Sequence, residues 1–344
     1  MQARTLDETA RVIVARGKGI LAADETPATL KPRFEANGIT STEDSRRAYR
    51  EMLFTAPDIP LFIGGVIMQD ETIRQRSSSG KRLISLIAER GMIPGIKVDE
   101  GARPMAGAPG ERITEGLDGL RGRLDEYREL GARFAKWRAV FFISRDGLPS
   151  QRCIHANADA LARYAALCQE QDLVPVVEPE VLMDGSHSIE RCEDVTRHVL
   201  QTVFDELFEQ NVALEAILLK PNMVIAGLEA PQKPSVPDVA AATLRTLSRH
   251  VPPAVPAVVF LSGGQDHVLA TEHLAAINQL EGRKPWVLSF SYGRALQDEA
   301  MEIWKGKREN VAAAQRAFLH RAKCDCAAVL GRYSGEMESE AAHG

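Results

Sequence analysis

Eight short apolar runs, each separated from the next by a longer segment of helical periodicity, limit more than anything else how this chain can fold. The runs are Gly19 to Asp24, Pro60 to Met68, Met92 to Val98 and Arg133 to Ile143, then Leu173 to Glu180, Leu214 to Lys220, Ala257 to Gly264 and Trp286 to Gly293. Between them, Leu117, Leu120, Leu124 and Tyr127 recur at three and four residues, and Val199, Leu200, Val203, Phe204, Leu207 and Phe208 share one helical face. Ser41, with Asp44 three residues on, predicts the start of the helix before the second run. Continuous apolar strands alternating with helices make a mostly parallel sheet covered by helices.

An open doubly wound sheet shares this alternation. Eight strands spread over about 270 residues favour closure into a (β/α)8 TIM barrel, an α/β fold. No G-x-G-x-x-G follows the first strand, which removes the usual dinucleotide signature of the open sheet. No Pro/Ser/Gly-rich linker divides the chain, so residues 1–333 read as one domain. The small polar stretch 334–344 reads as a mobile C-terminal tail.

With 44% hydrophobic residues the chain can fill a large core. The 42 basic and 47 acidic residues leave a net charge of −5, which argues against wholesale binding to nucleic acid or a membrane surface. Five cysteines, an odd number in a long chain, read as inert thiols rather than a disulfide framework. Cys324 and Cys326 lack a zinc-knuckle spacing, and no metal is expected. The first twenty residues carry charges throughout, unlike a signal peptide, and no run nears the roughly 20 apolar residues of a membrane span. A cytoplasmic protein is expected.

Charged residues in apolar strands are costly unless paired or used. Here they gather at the C-terminal ends of the strands, where barrel enzymes hold their active sites. Asp24 ends the first strand and Lys97 the third; Lys136 and Arg138 lie in the fourth, Glu178 and Glu180 end the fifth, and Lys220 ends the sixth. Period-two alternation puts Lys136 and Arg138 on one face, with Trp137 opposite, and pairs Glu178 with Glu180. The last two strands end in Ser262-Gly263-Gly264 and Ser291-Tyr292-Gly293-Arg294, glycines and a guanidinium suited to a phosphate at the usual barrel position. Desolvation and a second ammonium nearby favour a neutral amine, the form that attacks a ketone, and Lys220 beside Lys136 suits that chemistry. The iminium so formed is an electron sink that lets a neighbouring C–C bond break, with Glu178 placed to shuttle protons. The eight histidines are scattered and assemble no metal cluster at the strand ends.

GKGILAADE (17–25), FIGGVI (62–67), GIKVD (95–99), FAKWRAV (134–140), VPVVEPEVL (174–182), LLKPNM (218–223), FLSGGQ (260–265) and SFSYGRALQ (289–297) together resemble class I fructose-1,6-bisphosphate aldolases, in order from about residue 5 to residue 333. The resemblance implies a metal-independent homotetramer of glycolysis and gluconeogenesis that needs no cofactor. Its reaction is the reversible cleavage of fructose 1,6-bisphosphate to dihydroxyacetone phosphate and glyceraldehyde 3-phosphate. It implies Lys220 as the Schiff-base lysine, Glu178 as acid/base, Glu180 in support, Lys136 in carbinolamine chemistry with Arg138 nearby, and Asp24 taking the C4 hydroxyl proton. It further implies Ser262, Gly263, Gly264, Gly293 and Arg294 for the C1 phosphate, Ser291 as a substrate- or phosphate-binding residue, and Lys97 with Thr26 and Thr29 for the C6 phosphate. Many animal relatives have two serines where this chain has Thr26 and Thr29 around Pro27, which reads as a stiffer loop. Animal relatives also end in a tyrosine that assists enamine protonation, whereas the last tyrosine here is Tyr333. A transaldolase-like or deoxy-sugar aldolase would share the lysine but needs no two phosphate clamps, and Lys97 with Arg294 argue against it. A barrel kept only as a binding scaffold would have no use for both Lys220 and Glu178.

Overall fold

The protein is described by a computed structural model covering residues 4–144 and 147–343. Eight parallel strands close into a barrel: Gly19–Ala22, Ile63–Met68, Ile93–Lys97, Phe134–Phe141, Val174–Val181, Leu218–Leu219, Ala257–Phe260 and Val287–Tyr292. Each pairs with its neighbours in sequence, and the first strand also pairs with the last, Ile20 against Ser291 and Leu21 against Tyr292. Helices surround the barrel, so the fold is the (β/α)8 TIM barrel that the alternation predicts.

Two apolar layers hold it together. Outside the strands, Trp137, Phe141, Phe260 and Phe290 face the helices in a continuous cluster. Inside, Ile20, Ile67, Phe134, Val174, Val176, Leu218 and Val259 fill the barrel, joined by Ala10, Ile13 and Val14. The latter three come from the helix Leu6–Ile13 and the residue after it. That helix begins with a reciprocal capping box between Thr5 and Glu8 and closes the end of the barrel where the strands start. Its entry needs Gly64, because a Cβ there would lie 1.9 Å from the Ile13 carbonyl oxygen. Each large side chain sealed in these layers contributes about 1.5–3 kcal/mol of hydrophobic stabilisation.

Several local expectations are corrected. The sixth strand is only Leu218–Leu219, because Leu214–Ala216 coils into a 3-10 turn. The helix Glu43–Phe54 is capped by Thr42 and Ser45, not by Ser41 and Asp44: the Thr42 hydroxyl accepts from the Ser45 N–H, and the Ser45 hydroxyl answers by accepting the Thr42 N–H. Phe208, in the last turn of the helix Ile189–Glu209, stands 78% exposed, while Val199, Leu200, Val203, Phe204 and Leu207 on the same helix are buried. A small antiparallel hairpin, Ala102–Pro104 with Arg112–Thr114, follows the third strand and was not read from the sequence. In the tail, Gly335–His343 forms short 3-10 turns, and Glu338 meets Arg321 of the helix Val311–Val329.

Candidate active site

Parallel register decides which side chains meet at the C-terminal end of the barrel. The fourth and fifth strands pair over eight positions, from Phe134 against Val174 to Phe141 against Val181, with Arg138 opposite Glu178. Alternation then turns Lys136 and Arg138 toward the barrel axis and Trp137 outward, where its ring packs 5.6 Å from that of Tyr164. Lys220 directly follows the two-residue sixth strand, and its N–H donates to the Val177 carbonyl (2.8 Å). Pro221, lacking an N–H, cannot extend that ladder.

The charges form one connected group. The Lys136 ammonium lies 2.7 Å from Asp24 Oδ2 and 3.3 Å from Glu178 Oε2. The Lys220 ammonium lies 3.1 Å from Glu178 Oε1. Arg138 pairs with Glu180. Lys97 Nζ sits 2.7 Å from Asp99 Oδ1 and donates to the Asp99 carbonyl. Lys136, Glu178 and Lys220 are each almost sealed from solvent, and burial by itself disfavours charge on Lys136 and Glu178. For Asp24 the ammonium groups of Lys136 and Lys220 outweigh that penalty and hold its carboxyl at about 2. Glu178 is lowered in the same way, against burial, by Lys136, Lys220 and Arg138. Lys136 is raised, because Asp24, Glu178 and Asp99 overcome its own desolvation.

The Asp24 shift predicts an acid dependence. Its folded pKa lies below the unfolded value, so its contribution is complete above about pH 4 and is lost as pH falls toward about 2. A fall from 3.8 to about 2 corresponds to about 2.5 kcal/mol. Asp24→Asn is therefore expected to lose stability of that order at pH 7 and to flatten the fall in stability between pH 4 and 2. Urea unfolding across that range measures it, and an unchanged slope would show that Asp24 is not held by the lysines.

The opposite wall is built for anions. Gly263 and Gly264 take φ of +63° and +93°, and a Cβ on Gly264 would stand 2.7 Å from Arg294 Nη2, so the guanidinium packs where only glycine fits. The Ser291 hydroxyl is buried without a hydrogen-bond partner among the described residues. Gly293 precedes the helix Arg294–Trp304, whose start has no side-chain cap. Across the cavity Thr26 caps the helix Pro27–Ala36: its hydroxyl accepts from the Thr29 N–H (3.2 Å) and lies 3.0 Å from the Thr29 hydroxyl. The expected stiff loop is thus a helix N-terminus, for which Pro27 at the first position supplies the φ. Two helix N-termini, each a partial positive charge, face one cavity of about 250 Å³.

Every site residue named from the sequence lines that cavity except Gly264, which lies behind Arg294. Sequence reasoning missed Glu25, Arg33 and Leu261 in its wall. Arg33 bridges Glu25 (2.5 Å) and Asp298 (2.7 Å), and Glu25 also holds Arg50 (2.8 Å). The spacing of Thr26, Thr29 and Arg33 at three and four residues was the available signal. Asp99, two residues beyond Lys97 and so on the same face, was likewise passed over. Outside this cavity, three side chains that carry metal-ligating atoms lie together. His320 precedes Cys324 by one helical turn, and Glu338 joins them, with one donor atom of each within 4.8 Å of the others.

A family model, "Fructose-bisphosphate aldolase class-I", matches residues 5–344. A "Probable fructose-bisphosphate aldolase class 1" of Xanthomonas campestris is 54% identical, covering 97% of this chain and 100% of that protein. "Fructose-bisphosphate aldolase 4, cytosolic" of Arabidopsis thaliana is 52% identical over 94% of this chain and 82% of its own length. The solved structure of fructose-bisphosphate aldolase from Plasmodium falciparum, in complex with TRAP and a small-molecule inhibitor, superposes with a TM-score of 0.94 at 48% identity, covering 96% of this chain and 95% of that one. With the fold, the buried lysines and carboxylates at the strand ends and these relatives in agreement, the chain belongs to the class I fructose-bisphosphate aldolases, a family of lyases.

Proposed function

We propose that this aldolase cleaves fructose 1,6-bisphosphate reversibly through a Schiff base on Lys220, in glycolysis and gluconeogenesis. The observation that carries the reading is the chain of contacts Lys220–Glu178–Lys136–Asp24, all at the barrel mouth. A proton passes from Lys220 to Glu178 across their 3.1 Å contact, leaving a neutral amine that attacks the C2 ketone. Glu178 gives that proton to the C2 oxygen, takes one from the carbinolamine nitrogen and passes it to the C2 hydroxyl, so that water leaves and an iminium remains. Asp24, low in pKa and therefore ionised, takes the proton of the C4 hydroxyl. The C3–C4 bond then breaks, its electron pair moves into the iminium to form an enamine, and glyceraldehyde 3-phosphate departs. Protonation of the enamine at C3 and hydrolysis of the imine release dihydroxyacetone phosphate and restore Lys220. The permanent charge on Lys136 keeps Asp24 and Glu178 anionic between these steps, and Glu180 holds Arg138 at the edge of the site.

Ser262, Gly263, Gly264, Ser291, Gly293 and Arg294 receive the C1 phosphate. The buried Ser291 hydroxyl supports this, since a phosphate oxygen supplies the partner it lacks. Lys97, Thr26 and Thr29 receive the C6 phosphate. The enzyme acts in the cytoplasm as a homotetramer. The printed name of the Arabidopsis relative supports the location, and the exposed Phe208 ring is an apolar surface suited to a subunit contact. Light scattering reads the assembly, and a monomer at working concentration would refute it.

Borohydride reduction in the presence of dihydroxyacetone phosphate, followed by peptide mapping, tests the mechanism. One stable adduct on Lys220 is expected. An adduct on Lys136 instead, or none, would overturn the assignment.

A further inference from the structure

We propose that His320, Cys324 and Glu338 form a binding site for a thiophilic divalent cation of the zinc class, which fastens the tail segment to the last helix. None of the three lines the catalytic cavity. His320 and Cys324 sit four residues apart on the helix Val311–Val329, so their side chains rise from the same face one turn apart. Glu338 reaches them from the 3-10 turns that fold back along that helix.

The geometry is close to that of a tetrahedral site. Zinc bonds of about 2.05 Å to imidazole nitrogen and about 2.3 Å to thiolate, set at the tetrahedral angle, require an N···S separation of about 3.6 Å. His320 Nε2 and Cys324 Sγ are 3.6 Å apart. One atom of each of the three residues lies within 4.8 Å of the others, so the carboxylate has at most about 1.3 Å to close to reach a ligand–ligand edge of this size. Changes in the Glu338 side-chain torsions supply a shift of that size, on a segment that Tyr333, Met337 and Glu338 hold against the body of the protein.

The carboxylate is already oriented as a metal ligand is. Tyr333 donates its hydroxyl to Glu338 Oε1 (2.7 Å), and Arg321 donates to Oε2. Each carboxylate oxygen keeps a second lone pair for a cation, so these two residues serve as outer partners that fix the ligand rather than compete for it. A thiolate and an imidazole select a soft or borderline ion over calcium or magnesium. The balance of the step is simple: the ion bonds to Cys324 sulfur, the thiol proton leaves to solvent, and no electron is transferred. Three protein ligands leave the fourth position to water on the exposed side of Glu338.

Titration of the full-length protein with Co²⁺, followed by absorption, tests this. One equivalent is expected to bring up a near-ultraviolet thiolate-to-cobalt band with the visible bands of a four-coordinate ion, and Zn²⁺ should displace both. Cys324→Ala and His320→Ala should abolish the thiolate band, and Cys324→Ser provides a second variant should the alanine fail to fold. Glu338→Gln should weaken binding by about tenfold or more. Cys326→Ala should retain the band, since that thiol lies against Gly17 on another side of the helix. Unchanged aldolase activity and melting temperature establish that each variant is folded. Absence of a thiolate band, a band that survives Cys324→Ala or His320→Ala, or binding unaltered by Glu338→Gln overturns the proposal.

Discussion

Lys220→Ala is expected to lower turnover of fructose 1,6-bisphosphate by about 10⁴-fold or more, and to abolish borohydride trapping with dihydroxyacetone phosphate. Without the amine no iminium forms, and the remaining charges only bind the substrate. The same change should cost little stability. Glu178, the partner left behind, still faces Lys136 at 3.3 Å, so no carboxylate is stranded without a cation. The alanine also opens space at the solvent end of the barrel rather than inside its packed interior. Single-turnover kinetics and a thermal melt measure both halves. A collapse of the melting temperature would make the lysine a structural group, and residual trapping would put the Schiff base on another lysine.

Glu178→Gln should reduce turnover by about 10²–10⁴-fold, with a smaller change in the binding of dihydroxyacetone phosphate. The amide keeps the shape of the carboxylate but cannot accept the Lys220 proton or return it to the departing C2 oxygen. Carbinolamine formation and dehydration both slow, so the rate at which borohydride captures the imine should fall along with the steady-state rate. Lys136 keeps Asp24 at 2.7 Å, so the site retains one of its two ion pairs to that lysine. A variant within tenfold of the parent would move the proton shuttle to Glu180, the other carboxylate on the same face.

The barrel was legible because its strands are buried on both sides and therefore read as apolar runs, and because residues two apart on a strand share a face. That rule alone placed Lys136 with Arg138 and Glu178 with Glu180. It failed where local pattern carries no information. The hairpin strands Ala102–Pro104 and Arg112–Thr114 are three residues each, too short and too exposed to show a period. The sixth strand is shorter still, and its place is held by neighbours rather than by its own residues. Arg33 joins the site through Asp298, 265 positions away, a contact that no local spacing announces. Glu338 meets Arg321 only because the tail folds back on the last helix.

The pairing of the first strand with the last bears on how the enzyme is made. The Ser289 hydroxyl donates to the Lys18 carbonyl across 271 positions, and the same seam brings Ser291 beside Ile20. A chain emerging from the ribosome carries Asp24 almost from the outset, yet the phosphate-binding wall opposite it arrives only with the final strand. Until then the sheet has two open edges, and neither cavity nor substrate affinity exists to hold the nascent barrel shut. Closure of such distant contacts is slow and leaves strand edges exposed meanwhile. Chains interrupted before about residue 290 should thus contribute no fractional activity, and their fate falls to chaperones and proteases rather than to the substrate.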